Sequence, residues 1–226
     1  MTFDLARVKG LCFDVDGTLS DTDDAYVARL SRMLHPLRFL FRGGDPARFS
    51  RWLVMVTESP LNALYHWLDR NSLDDEFARL FSRLARSGKA RQKKFWLMRG
   101  TLDLLLTVRE RYPLTVVSAR DAETTGRFLS QFDLEKFFGA VVTSQTCEFT
   151  KPFPHPVRHA VECMGLAPEA CVMIGDTTVD ILAGKRAGAQ TIGLLCGFGT
   201  VEELRKAGAD LIVNDLEELK QVLLAG

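Results

Sequence analysis

The sequence predicts an α/β protein with a parallel sheet, helices on both faces of the sheet and an all-helical insertion after the first strand. A short apolar run over residues 8–15 ends in Asp-Val-Asp-Gly, which is typical of a buried strand that leads into a turn. Residues 20–95 show apolar side chains at helical spacing and no clear strand pattern. After residue 98, strand and helix patterns alternate, as they do in parallel sheets.

Each later element follows from local pattern. Short apolar or β-branched runs predict strands at 114–117, 140–142, 171–174, 190–194 and 210–213. Longer amphipathic stretches predict helices at 101–111, 122–132, 154–164, 179–187 and 216–224. The third of these helices is opened by a proline, which suits the first turn because its missing N–H has no partner there.

These assignments divide the chain into a catalytic core, residues 1–19 and 97–226, and a helical cap domain, residues 20–96. Residues 20–95 contain 14 Lys and Arg against 9 Asp and Glu, although the whole chain has a formal net charge of zero. A solvated helical surface explains this positive surplus, and so does a positive lid over an anionic substrate. The sequence leaves both explanations open.

The totals predict a cytoplasmic protein without a preference for nucleic acid or membrane. Hydrophobic residues make up 46% of the chain and charged residues 26%, as in ordinary globular proteins. Five cysteines are scattered without a CxxC pair, which favours reduced thiols. No apolar stretch of signal or membrane length follows the start, because Asp14 and Asp16 interrupt the first one. Oligomeric state is not predicted.

Polar side chains collect where the predicted strands end. In parallel sheets these ends share one edge, outside which ligands bind. The residues concerned are Asp14, Asp16, Ser118, Lys151, Asp176 and Asp180. Carboxylates brought together repel each other, and a hard cation with oxygen ligands, above all Mg²⁺, relieves that repulsion. The alternative interpretation is that the acids mark turns and helix caps, that Ser118 begins a turn and that Lys151 is a solvated surface charge.

Four short motifs in this order resemble those of the haloacid dehalogenase-like hydrolases. They read D-V-D-G-T-L at 14–19, V-V-S at 116–118, K-P at 151–152 and G-D-T-T-V-D at 175–180. The resemblance covers the core and implies a Rossmann-like three-layer α/β/α fold. The insertion directly after the first motif looks like the helical cap of the phosphoglycolate phosphatase-like branch.

The resemblance also implies a role for each residue. Asp14 would be the nucleophile and a magnesium ligand, and Asp176 the second carboxylate ligand. Asp16 would bind the metal through its backbone carbonyl and act as general acid and then base. Phosphate would be held by the group formed by Ser118, Ala119 and Lys151. Asp180 would support the metal waters or Lys151.

The second acid decides the expected reaction. A nucleophilic carboxylate alone could displace halide, whereas protonating the leaving oxygen of a phosphate ester calls for an acid such as Asp16. We therefore expect a Mg²⁺-dependent phosphatase that acts on a small phosphorylated metabolite through an aspartyl-phosphate on Asp14. A phosphomutase of the beta-phosphoglucomutase type shares these residues and stays open, as does a binding or regulatory protein that has lost turnover. The substrate itself is not predicted.

Overall fold

The computed structural model describes residues 3–21 and 95–225. Most of the predicted cap, residues 20–96, lies outside these described residues, so the domain division stays a prediction. Six strands form one sheet in the order β3-β2-β1-β4-β5-β6, and every neighbouring pair is parallel. The strands are β1 Gly10–Phe13, β2 Leu114–Val117, β3 Ala140–Val142, β4 Cys171–Gly175, β5 Gln190–Leu194 and β6 Leu211–Val213. The α/β fold class with a parallel sheet is confirmed.

Six helices connect or follow these strands in the described part of the chain. They are α1 Thr101–Val108, α2 Ala122–Gln131, α3 His155–Cys163, α4 Thr178–Ala187, α5 Val201–Lys206 and α6 Leu216–Leu224. Several begin at a capping side chain that accepts the hydrogen bonds of free backbone N–H groups. Asp121 caps α2, and Asp215 caps α6. None of the helices among the described residues has both the length and the apolar character needed to cross a membrane.

The helices cover both faces of the sheet, which makes three layers. Successive strand residues point to opposite faces, so Leu11 and Phe13 join one apolar cluster and Cys12 joins the other. The first cluster contains buried residues of α1, α2 and α6, and the second contains buried residues of α3 and α4. The sheet is therefore buried on both sides, and polar side chains gather at its carboxyl edge.

The predicted and observed elements differ mainly at their ends. The predicted first strand, residues 8–15, is limited to Gly10–Phe13, and the helix predicted at 101–111 ends at Val108. Helix α5 was not predicted, because it has only six residues and a single buried side chain. The sequence did contain its start signal, since Thr200 and Glu203 form a capping box with the spacing that this motif requires.

The two described chain ends that flank residues 22–94 lie side by side. The Asp21 N–H donates to the carbonyl of Trp96 at 3.0 Å, and the Met98 N–H donates to the carbonyl of Leu19 at 2.9 Å. The hydroxyl of Thr101, at the start of α1, also donates to the Leu19 carbonyl at 3.2 Å. The described segments on either side of residues 22–94 thus meet at one place, just after the first motif.

Candidate active site

The candidate site lies at the carboxyl ends of β1 and β4, in the middle of the sheet. The strand order reverses direction here, since the chain runs outward to β2 and β3 on one side and to β5 and β6 on the other. Such a switch point leaves a crevice outside the strand ends, where α/β proteins bind ligands. Asp14 follows β1 directly, and Asp176 follows β4 directly. The fold therefore places two carboxylates in the crevice where α/β proteins of this kind bind ligands.

Asp14 is buried and paired with Lys151. Its backbone N–H donates to the carbonyl of Ile174 in β4 at 2.9 Å, which extends the sheet by one residue. The Lys151 Nζ lies 2.5 Å from Asp14 Oδ1, and the lysine residue is only 5% exposed. A solvated surface role for Lys151 is excluded by this burial. The lysine comes from the loop between β3 and α3, nine residues after β3 ends.

Asp180 anchors the same lysine from the first turn of α4. Its Oδ1 accepts from Lys151 Nζ at 2.6 Å, and its Oδ2 accepts from the hydroxyl and backbone N–H of Thr177 at 2.6 and 3.1 Å. Thr177 and Asp180 form a capping box at the start of α4. Asp180 therefore caps α4 with one oxygen and binds Lys151 with the other, so capping does not exclude a role in the site.

Asp176 is fully buried in a cradle of backbone. Its Oδ2 accepts from the backbone N–H of Phe198 at 2.8 Å, and Thr18 Oγ1 lies 3.4 Å from its Oδ1. A Cβ atom added to Gly17 or Gly197 would lie 2.3 or 2.1 Å from Asp176 Oδ2, closer than any non-bonded contact allows. Glycine is therefore required on both sides of this carboxylate, which fixes its position.

Three carboxylates share this site with one ammonium group. Oxygens of Asp14, Asp176 and Asp180 lie within 4.8 Å of one another. Burial, and then repulsion from the neighbouring acids, raises the pKa of Asp14 to about 7 even though Lys151 opposes the change. Burial and the charges of Asp180 and Asp14 also hold the pKa of Asp176 well above its usual range. Burial would lower the pKa of Lys151, but Asp14 and Asp180 outweigh burial and raise it. With three acidic groups and one lysine, the site has more negative than positive groups.

Ser118 and Ala119 follow β2, the strand next to β1. Ser118 is buried, its backbone N–H donates to the carbonyl of Val142 at 2.8 Å, and its Oγ accepts from the backbone N–H of Arg120 at 3.1 Å. Ala119 is exposed in the same turn. The turn therefore presents a fixed hydroxyl at the carboxyl edge beside Asp14. A role as a simple turn former does not conflict with phosphate binding.

Asp16 lies in the turn after β1, where Gly17 has a φ of 73°. Alternation along an extended chain directs Asp14 and Asp16 to opposite sides, and the sequence left open whether the turn brings Asp16 back. Its carboxylate pairs with the guanidinium of Arg120, with Nε 2.6 Å from Oδ2 and Nη2 in contact with Oδ1. Arg120 lies three residues after the end of β2, and none of the four sequence motifs includes it. The contact spans 104 positions, so only the fold reveals it.

Comparisons with known proteins agree with the geometry. The profile of the haloacid dehalogenase-like hydrolase family matches residues 11–194. A pyrophosphatase PpaX from Anoxybacillus flavithermus is 27% identical over 221 residues, which cover 96% of this chain and 97% of the relative. The phosphoglycolate phosphatase of Escherichia coli is 24% identical over 237 residues, which cover 96% and 92% of the two chains.

Solved structures show the same fold. A Streptococcus pneumoniae hydrolase of the haloacid dehalogenase-like family has a TM-score of 0.66 at 22% identity, covering 96% of this chain and 99% of that chain. A Thermotoga maritima protein described as a putative beta-phosphoglucomutase has a TM-score of 0.62 at 24% identity, covering 96% and 98%. The family profile spans most of the core, including the strands that carry the clustered acids. The chain therefore belongs to the haloacid dehalogenase-like hydrolases.

Proposed function

We propose that this protein is a Mg²⁺-dependent phosphatase that hydrolyses a small phosphorylated metabolite through an aspartyl-phosphate on Asp14. The observation that carries the proposal is the buried Asp14 carboxylate, 2.5 Å from Lys151 at the end of the central strand. A carboxylate at such a position can attack phosphorus, and the ammonium group beside it can stabilise the charge of the transferring group.

The donor set fits a magnesium ion. Three carboxylates and one lysine leave an excess of negative charge, and burial together with repulsion between the acids raises the pKa values of Asp14 and Asp176. Mg²⁺ favours one or two carboxylates together with waters and substrate phosphate. We infer that Asp14, Asp176 and the backbone carbonyl of Asp16 would hold it, since both oxygens of Asp180 already serve Lys151 and Thr177. When bound, the ion would neutralise charge on the phosphate oxygens.

In the first step, an Asp14 oxygen forms a bond to phosphorus while the bond to the leaving oxygen breaks. Asp16 gives its proton to that oxygen, so the product leaves as a neutral alcohol or as a less charged anion. Ser118 and the turn at Ala119 would hold the phosphoryl oxygens, and Lys151 would balance their charge. The enzyme is then left with a phosphoryl group on Asp14 and an ionised Asp16.

The second step reverses these roles. Asp16 takes a proton from a water that attacks phosphorus, the bond between Asp14 and phosphorus breaks, and inorganic phosphate is released. Asp16 is then protonated and Asp14 ionised, as at the start. The two steps together consume one water and one phosphate ester, and no redox partner is needed.

The relatives suggest where to look for the substrate. One is named a pyrophosphatase and another a phosphoglycolate phosphatase, and each of these compounds carries a second anionic group beside the phosphoryl group that leaves. We propose a small phosphorylated compound of this anionic kind. The positive surplus of residues 20–95 supports this choice, because a basic cap would attract such a compound. The division into core and cap is part of this proposal.

A phosphomutase is the second candidate. It would use the same aspartyl-phosphate but return the phosphoryl group to a sugar phosphate rather than to water. The shared fold with the Thermotoga maritima protein supports it, although a common fold hosts many reactions. Product analysis separates the two, because a mutase releases an isomeric sugar phosphate and little inorganic phosphate.

The cellular setting proposed is the cytoplasm. No disulfide joins any of the five cysteines, which all lie among the described residues, and two of them, Cys12 and Cys171, are buried. Free thiols in a protein of this size are typical of reducing compartments.

The deciding experiment measures phosphate release from a panel of phosphorylated metabolites, headed by phosphoglycolate and pyrophosphate, with 4-nitrophenyl phosphate as a general substrate. We expect release with Mg²⁺, none in excess chelator, and a loss of about a thousandfold or more in Asp14→Asn. Brief incubation with a ³²P-labelled substrate should label the wild-type chain through an acyl phosphate that hydroxylamine removes. Full activity in chelator, or near-normal activity of Asp14→Asn, would contradict the proposal.

A further inference from the structure

Arg120 binds the Asp16 carboxylate with both sides of its guanidinium fork. Nε and Nη2 each reach a different oxygen, which is the bidentate geometry that gives arginine–carboxylate pairs their directional strength. The arginine side chain is 10% exposed and that of Asp16 31%. The pair therefore joins a nearly buried cation to a partly exposed acid.

The guanidinium is itself held in place by aromatic rings. Its central carbon lies 5.2 Å from the ring centre of Phe95 and 5.8 Å from that of Phe128. These two rings are packed edge to face, 5.8 Å apart, and both are buried. Cation–π contacts of this kind fix the plane of a guanidinium group as well as stabilise it. The Arg120 backbone N–H also donates to Ser118 Oγ at 3.1 Å.

We propose that Arg120 is the residue that positions Asp16 for its acid–base work, an inference that rests on the proposed function. Asp16 follows β1 by three residues and precedes a glycine with positive φ, so the backbone alone does not fix its carboxylate. Arg120, held against the rings of Phe95 and Phe128, orients both oxygens. A carboxylate oxygen accepts more than one hydrogen bond, so pairing with Arg120 is compatible with proton transfer by Asp16.

This role makes a specific kinetic prediction, because Asp16 matters most when the leaving group is poor. The alkoxide that leaves an alkyl phosphate needs a proton, whereas the nitrophenolate that leaves 4-nitrophenyl phosphate is stable without one. The value of kcat/KM reports the phosphorylation of Asp14 in both cases. Loss of the Arg120 fork should therefore lower kcat/KM for ethyl phosphate far more than for 4-nitrophenyl phosphate.

The test compares these two substrates in the full-length protein with saturating Mg²⁺. In Arg120→Met, we expect kcat/KM to fall at least about tenfold more for ethyl phosphate than for 4-nitrophenyl phosphate, since displacement of a catalytic group by about 1 Å costs up to about 100-fold. Arg120→Lys keeps a cation but lacks the two-pronged guanidinium. In this variant we expect kcat/KM to fall again more for ethyl phosphate than for 4-nitrophenyl phosphate, but by a smaller factor. The lysine variant also carries the test if Arg120→Met does not fold.

A double-mutant cycle with Asp16→Asn separates positioning from other roles. If Arg120 acts through Asp16, Arg120→Met should add less than about threefold to the loss that Asp16→Asn already causes with ethyl phosphate. The matched control is Arg127→Met. Arg127 is an exposed residue whose guanidinium lies 5.9 Å from the same Phe95 ring, and its replacement should leave the ratio of the two kcat/KM values within about twofold of wild type.

Equal losses with both substrates, or losses that multiply in the double variant, would overturn the inference. Either result would mean that Arg120 binds the phosphoryl group directly or only supports the fold. Failure of the proposed function would look different, because the wild-type protein would then release phosphate neither from these two substrates nor from any compound of the metabolite panel.

Discussion

Replacing the nucleophile should make the metal-free protein more stable while it destroys activity. Asp14 is a buried carboxyl whose pKa is raised from 3.8 to about 7, so the folded state holds its proton more tightly than the unfolded state does. Stability is then lost as the pH rises from 3.8 through 7, because folding requires ionised Asp14 to be buried beside Asp176 and Asp180. Asp14→Asn keeps the size of the side chain and remains neutral at every pH.

The size of the effect follows from the two pKa values. At about 1.36 kcal/mol per pH unit, the interval from 3.8 to about 7 amounts to about 4 kcal/mol. The free energy of unfolding of Asp14→Asn should equal that of wild type near pH 4. It should exceed the wild-type value by about 2 kcal/mol near pH 5 and by up to about 4 kcal/mol above pH 8. Stability gained by removing a catalytic charge is a known trade-off in active sites.

The assay is urea unfolding in chelator at several pH values between 4 and 9, with circular dichroism as the signal. Asp103→Asn is the control, because Asp103 is 63% exposed and its ion pair with Lys220 is on the surface. The stability of this control should differ from that of wild type by less than about 1 kcal/mol, with little change across the same pH range. A destabilised Asp14→Asn protein, or a gain that does not grow with pH, would refute the electrostatic account of the site.

Three further predictions concern the same site. Lys151→Met should destabilise the metal-free protein at pH 8.5 by about 3–5 kcal/mol in urea unfolding, because it leaves buried carboxylates without their cation. Mg²⁺ affinity measured by calorimetry should rise about fivefold from pH 6 to pH 7 and level off above about pH 8, since binding displaces the proton of Asp14, whose pKa is about 7; affinity independent of pH would contradict the raised pKa. Gly197→Ala should weaken Mg²⁺ binding at least about tenfold, because its Cβ would meet Asp176 Oδ2 at 2.1 Å. The control Gly126→Ala, a helical position with nothing within 4 Å of its Cβ, should instead stabilise the fold by about 0.5–1 kcal/mol.

Local pattern predicted much of the core because it depends on neighbours in sequence. The apolar runs at 114–117, 140–142 and 190–194 coincide with β2, β3 and β5, since a strand buried on both faces needs a continuous apolar stretch. Helix ends were less accurate. The predicted helix at 101–111 ends three residues early, at Val108, where tertiary packing decides how far a helix continues.

The sequence by itself determined which polar residues stand at strand ends. Parallel connectivity sends every carboxyl end to one edge, so the positions of Asp14, Ser118 and Asp176 followed from the strand assignment alone. The third strand leads toward Lys151, which lies nine residues beyond the end of β3, so the course of the intervening loop decides its place in the site.

Only the tertiary structure decided how these groups are held. The fork of Arg120 on Asp16, the contact of Lys151 with both Asp14 and Asp180, and the backbone of Gly197 against Asp176 join segments from different strands and loops. No local pattern encodes such contacts, because they depend on the packing of elements far apart in the chain. The sequence therefore indicated which residues form the candidate site. The ion pairs and hydrogen bonds that set the charge balance of the site and orient its side chains arise only when the sheet brings these segments together.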